Sequence, residues 1–179
     1  PVSGLITDGL GTPLANINLD FINEATGVKA LTPGDNTLLD GTYVAQVPLG
    51  TYTVIAKPLS ATGLLPASVS GVVVDGAVAG INFTLGSGLL LSGTVSGSAG
   101  VLEGVDLDIT DATTGVDILA PFDVTNALGQ YSIVVPVGSY NVDFTPPVGS
   151  LDAPQTAVGV SVVANTILNM VLPPGVEFS

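Results

Sequence analysis

The chain has 179 residues, 46% hydrophobic and 9% charged, with a formal net charge of -13 from 15 acids set against two lysines, Lys29 and Lys57. Such apolar content with so little charge folds rather than remaining a disordered acidic tail. The shortage of cations excludes binding to a phosphate backbone and polybasic docking on an anionic membrane. The absence of Cys and His removes disulfides, thiolate nucleophiles, Cys zinc sites and the commonest general base.

In chain order, the pattern predicts strands at about residues 2–7, 16–23, 28–31, 42–47, 51–57, 68–75 and 79–85. Asn16 to Phe21 alternate polar and apolar strictly, as a strand does with one face wet and the other in a core. No segment offers helical spacing over ten residues. Gly and Pro punctuate the Thr-, Val- and Ile-rich runs at the spacing of an antiparallel sandwich. Residues 76–102 carry no charge and are long enough to span a bilayer, but they hold seven glycines, Asn82 and several hydroxyls, so they read as two strands and a linker. The linker falls at Gly86, Ser87 and Gly88, too short to separate two domains widely.

Beyond it the first half recurs. At an offset of 88, Gly27, Gly41, Tyr43, Pro48, Gly50, Tyr52, Val54 and Pro66 fall on Gly115, Gly129, Tyr131, Pro136, Gly138, Tyr140, Val142 and Pro154. Ser3 and Gly4 meet Ser92 and Gly93 at 89, and Asn82 meets Asn169 at 87. Constant register with single-residue slips at loops marks a duplicated domain. All four tyrosines lie in the shared element Tyr-x-x-x-Val-Pro-x-Gly-x-Tyr-x-Val, at 43–54 and 131–142. Its Pro-x-Gly is a tight turn between two strands, and alternation puts both tyrosines of each copy on the apolar side, with hydroxyls seeking backbone partners.

This element, with the preceding Gly41 and Gly129, the Ser-Gly opening of the first strand and the Pro13 to Ile17 step, resembles the carboxypeptidase regulatory-like family, close to the B-type repeats of bacterial surface adhesins. The resemblance covers nearly the whole chain as two copies. It implies transthyretin-like or Ig-like sandwiches that act as non-catalytic stalks, spacers and accessory modules of secreted or surface proteins. The adhesin repeats often carry a Lys to Asn isopeptide bond from a first-strand Lys. Here neither first strand has a Lys, so none is expected, and the transthyretin-like purine hydrolases use His and Arg, which are missing.

Asp35, Asn36 and Asp40 share one loop, and Asp106, Asp108, Asp111, Asp117 and Asp123 crowd one part of the second copy, so oxygen ligands for calcium are present. No Asp-x-Asp-x-Asp-Gly loop with a closing Glu accompanies them, and a solvated acidic face explains the same residues. Asn82, Phe83 and Thr84 match the N-glycosylation sequon. Residues 1–88 carry six acids and both lysines, and residues 89–179 carry nine acids and no cation. After Leu172, the stretch Pro173–Ser179 is stiff and extended, with Val176 and Phe178 in alternation, and it needs a place to dock. The start at Pro1 is most simply explained by a removed signal peptide, which points to export.

The expected fold is therefore all-β, with two tandem antiparallel β-sandwiches of about seven strands each at 1–87 and 88–172 and an extended tail at 173–179. The expected function is that of a non-enzymatic, extracellular or cell-surface fibre or stalk subunit. It would form a homopolymer head to tail, by strand addition or end-docking, with Pro1, Val2, Val176 and Phe178 at the assembly interface. Glycans are weighed as partners, nucleic acid and membrane insertion are not expected, and no cofactor other than calcium is considered. The rival reading is an accessory, spacer or carbohydrate-binding module of a larger secreted protein.

Overall fold

The computed structural model describes residues 1–175, and the chain divides into two compact units, Pro1–Ser87 and Gly88–Ser179. The first unit contains β1 (Val2–Asp8), β2 (Asn18–Asn23), β3 (Thr42–Ala45), β4 (Gly50–Lys57), β5 (Ala67–Val74) and β6 (Phe83–Leu85), plus a single 3-10 turn at Ser60–Thr62. They form two three-stranded sheets, β3-β1-β6 and β2-β4-β5. All pairings are antiparallel except that of β1 with β6.

Period-2 alternation drives the packing. Val2 and Ile6 from one sheet, and Leu19, Phe21, Tyr52, Val54 and Ala56 from the other, are all at most 2% exposed and share one core. Each large side chain so buried contributes about 1.5–3 kcal/mol. Phe21 and Tyr52 meet edge to face at 6.4 Å. The turn at Val47 to Gly50 joins β3 to β4, which lie in different sheets, so it passes the chain across the sandwich rather than forming a hairpin.

The second unit contains β7 (Leu89–Gly97), β8 (Gly100–Val101), β9 (Asp106–Asp111), β10 (Gln130–Val135), β11 (Gly138–Thr145), β12 (Gln155–Val162), β13 (Thr166–Ile167) and β14 (Met170–Val171). Its sheets are β10-β7-β13, with β8 and β14 also on β7, and β12-β11-β9. Leu91, Val95, Leu107, Tyr140, Val142 and Phe144 fill its core, with Tyr131 edge-on to Phe144 at 5.9 Å.

The same hydrogen bonds recur at the repeat offsets. Tyr43 donates its hydroxyl to the Ile81 carbonyl at 2.7 Å, and Tyr131 to that of Leu168 at 2.6 Å. Burial raises both phenol pKa values, so both stay neutral donors. Thr37 and Thr125 each accept from the N–H of the residue just before a strand, Ile17 before β2 or Val105 before β9, and donate to a carbonyl, Leu14 or Leu102. Tyr140 donates to the Pro136 carbonyl at 2.7 Å, pinning the Pro-x-Gly turn.

Two expected strand boundaries change. Residues 28–31 form no strand. The segment runs beside β2 with bonds from Asn23 to Val28 and from Ala30 to Phe21, but Pro33 and Gly34 carry the chain away before it returns at Asp35. The strand expected at 79–85 shortens to β6, because residues 78–82 bond to β1 only at intervals. Residues 76–102 contain β6, β7 and β8 with the loops between them, and among the described residues no helix is long and apolar enough to cross a membrane.

Candidate functional site: sheet edges and outer faces

Each unit leaves one eight-residue strand at the end of a sheet, β5 in the first and β12 in the second. Their sequences, Ala-Ser-Val-Ser-Gly-Val-Val-Val and Gln-Thr-Ala-Val-Gly-Val-Ser-Val, contain no charge and no proline. Val69, Val73 and Val158 are exposed, Val158 at 77%. Such an edge offers unpaired N–H and C=O groups, and natural sheets commonly blunt it with Lys, Pro or a bulge. Only the bulge is used here. The register shifts opposite Tyr52 to Val54 and Tyr140 to Val142, and the left-handed Gly71 and Gly159 donate to Glu24 Oε1 at 2.7 Å and Asn141 Oδ1 at 3.1 Å. Several of the other edges are covered. Segment 28–37 lies along β2, segment 116–125 along β9, and Pro33 accepts from Gln46 beside β3.

Of the four residues expected at an assembly interface, Pro1 and Val2 are taken up by their own unit. The Val2 side chain is fully buried in the core, its backbone pairs with Ala45 and Val78, and the Pro1 carbonyl accepts from Val78 at 2.9 Å. The inward phase of β1 places the Val2 side chain in the core of its own unit. At the other end, Pro173 accepts from Ala153 at 2.7 Å, and Gly175 donates to Leu151 at 2.6 Å. Val176 and Phe178 lie outside the described residues.

The carboxylates divide between turns and a sheet face. Asp111 accepts from Thr113 and Thr114 in its own turn, Asp40 from Thr42, and Asp35 from Thr32 and Asn36. Backbone and hydroxyl donors hold Asp40 and Asp111 below the usual carboxylate range. Asp108 stands directly opposite Asp143 across β9 and β11, and with Asp117 and Asp123 they border a shallow depression of about 330 Å³. Closeness in sequence groups Asp106, Asp108, Asp117 and Asp123 but not Asp143, whose place depends on strand register. Asp111, grouped with them by sequence, belongs to its turn instead. No group of three or more carboxylates among the described residues has metal-holding geometry.

In the first unit the equivalent face is neutralised internally. Asp20, 7% exposed, is ion-paired to Lys57 at 2.9 Å and to Lys29. Burial pushes the Asp20 carboxyl up, but hydrogen bonds and charge from Lys29 and Lys57 outweigh this and leave its pKa lowered.

Asn82 is exposed, and its Oδ1 accepts from the Leu5 N–H at 2.8 Å; Asn169 does the same for Thr94 at 2.9 Å. Both asparagines clamp the first strand of their unit, which accounts for an Asn in both copies. Only the first is followed by the Thr of a sequon.

No family model matches the chain, and no curated protein matches it. Among solved structures, the chain is similar to the Bacillus anthracis TIE protein, at 16% identity and TM-score 0.40 over 97% of this chain and 33% of that one. It is similar to a streptococcal ancillary pilin at 15% identity and TM-score 0.36, over 98% of this chain and 62% of that one. It is also similar to the shaft pilin SpaA of Lactobacillus rhamnosus GG at 12% identity and TM-score 0.40, over 99% of this chain and 98% of that one. The chain thus spans about a third of the first of these proteins and less than two thirds of the second.

Proposed function

We propose that the chain is a non-enzymatic structural subunit of an extracellular, surface-attached fibre or stalk, built from two carboxypeptidase regulatory-like modules. Copies join head to tail by strand addition. The observation that carries this reading is the pair of exposed, uncharged, valine-rich edge strands β5 and β12. An extended segment of another copy can complete such an edge through main-chain hydrogen bonds, with alternate side chains finding pockets. A contact between two different surfaces that does not close on itself propagates as an open filament.

Since Pro1 and Val2 are used internally, the donor in this reading is the tail beyond Gly175, with Val176 and Phe178 as its alternating anchors. Further support comes from the surface. Leu10, Leu31 and Leu39 in the first unit are at least 91% exposed, in a chain with only 9% charged residues. Side chains exposed to that degree are open to contact with another copy. The high acid content of the second unit gives mutual repulsion that keeps neighbouring filaments apart.

Negative-stain microscopy of the intact chain beside a version ending at Leu172 tests this reading. The expected outcome is long filaments from the intact chain and dispersed particles from the shortened one. Dispersed particles from both, across concentration, contradict it.

A further inference from the structure

Asn82 and Asn169 hold the same place in their units, but only the first carries the rest of a modification signal. Each accepts through Oδ1 from a first-strand N–H, Leu5 at 2.8 Å and Thr94 at 2.9 Å. That bond asks for an asparagine in both units and is indifferent to the residue two positions on. There the units part, with Phe83 and Thr84 after Asn82 but Met170 and Val171 after Asn169. Asn-x-Ser/Thr without an intervening Pro is the acceptor sequence for N-linked glycans.

The fold leaves the acceptor nitrogen available. A backbone N–H can bond only to the oxygen of a carboxamide, so the Leu5 bond fixes which way the Asn82 group lies. Among the described residues nothing accepts from its Nδ2. Asn82 and Thr84 are both exposed, in the same outward phase, while Phe83 between them is buried. A glycan on Nδ2 leaves Oδ1 and its bond to Leu5 in place, so the clamp and the modification coexist.

A second difference between the units points the same way. In the second unit Thr94, Asn126 and Ser132 lie with Asn169 around one depression on the outer face of β10-β7-β13. At these repeat positions the first unit has Leu5, Leu38 and Val44, all exposed, Val44 at 55% and Leu38 at 64%. Val2, Ile6, Tyr43 and Ala45 point into the core, so Leu5 and Val44 face outward from β1 and β3. The unit with a polar outer face lacks the sequon, and the unit with an apolar one has it. A glycan is bulky and solubilising, which is what an apolar sheet face needs and a polar one does not.

We infer that Asn82 is an N-glycosylation site and that the attached glycan covers the outer face of β3-β1-β6 around Leu5 and Val44. In the transfer, Nδ2 attacks C1 of a sugar carried on a lipid diphosphate. The bond from Nδ2 to C1 forms, the bond from C1 to the diphosphate oxygen breaks, Nδ2 gives up one proton, and the lipid diphosphate leaves. The inference rests on the extracellular part of the proposed function, because this transfer accompanies export, and is independent of how copies of the chain join.

Mass spectrometry of the full chain, collected outside the cells that naturally make it, tests the site. The expected result is a peptide spanning residues 82–84 that is heavier by a series of sugar masses, unmodified in Thr84→Val and still modified in Thr84→Ser. Thr84→Val installs the residue of the second unit and keeps the Asn82 clamp, so the variant should fold as the parent does. It should also gain fluorescence with a dye that reports exposed apolar surface, and Leu5→Thr with Val44→Ser in the same chain should remove that gain. An unmodified peptide from extracellular chain would overturn the inference and leave the extracellular reading standing, whereas a chain found only inside the cells would overturn both. A glycan that persists in Thr84→Val or maps to another residue would overturn the site, and an unchanged dye signal would overturn the cover. Unmodified Asn82 with Leu5 and Val44 shielded only in assembled chains would also overturn the inference, and would assign this face to a second copy.

Discussion

Gly4 and Gly93 stand where a methyl group has no room. A Cβ on Gly4 would lie 2.0 Å from the Ile81 carbonyl oxygen, and one on Gly93 1.9 Å from that of Leu168. These are the same carbonyls that receive the Tyr43 and Tyr131 hydroxyls. The Ser-Gly opening and the first tyrosine of the shared element are thus one device, in which glycine lets the last strand approach and tyrosine satisfies its carbonyl. Gly93→Ala must push strand and carbonyl apart and should destabilise the second unit by about 3 kcal/mol or more. A guanidinium unfolding midpoint unchanged by this substitution would contradict the role assigned to Gly93.

The other residue-scale device is the Asp20 cluster. Asp20→Asn leaves Lys57, whose side chain is 18% exposed, without its carboxylate, and should cost the first unit about 2 kcal/mol. The folded-state pKa of Asp20 is lowered, so its contribution is fully present above the unfolded carboxylate value of 3.8. It is lost as pH falls through the still lower folded value. Unfolding followed between neutral pH and strongly acidic pH should show the parent and Asp20→Asn converging as Asp20 protonates. A constant gap across that range would mean that the carboxylate charge is not what stabilises the cluster.

At the scale of elements, what the sequence disclosed was whatever has a period. Asn18 to Phe21 and Asp106 to Ile109 announce strands with one buried face, and the internal repeat carries that reading from one unit to the other. Pairing was hidden. Nothing in the residues of β1 says that it runs antiparallel to β3 and parallel to β6, because both neighbours satisfy the same alternation. The 28–31 run has strand composition, but its continuation is broken by the excursion through Pro33 and Gly34, a constraint of backbone geometry. Asp143 escaped notice for a related reason. Its opposition to Asp108 exists only through the register of β11 on β9. The edge strands β5 and β12 were legible as strands but not as edges, since an edge is defined by the absence of a neighbour. The tail's alternation suggested a strand donor before any acceptor was visible, while burial of Val2 shows that alternation at the other end serves the core instead.

At the scale of the whole molecule, the chain combines two cores that satisfy themselves with an outer surface that does not. Large apolar residues stand exposed on loops and sheet edges of both units, among them Leu10 and Leu49 in the first and Val148 and Ile167 in the second. Charge is scarce, and nearly all of one sign. In the proposed reading, the uncharged, valine-rich edges direct association of copies toward strand pairing. The most direct measurement is amide hydrogen exchange along β5 and β12, compared between the dilute chain and its assembled form. Strand addition predicts that outward amides of at least one of these two strands become strongly protected on assembly, while those of β1 and β4, already paired on both sides, stay as they were. Filaments in which neither edge strand gains protection, or a chain that never assembles, would contradict polymerisation through these edges.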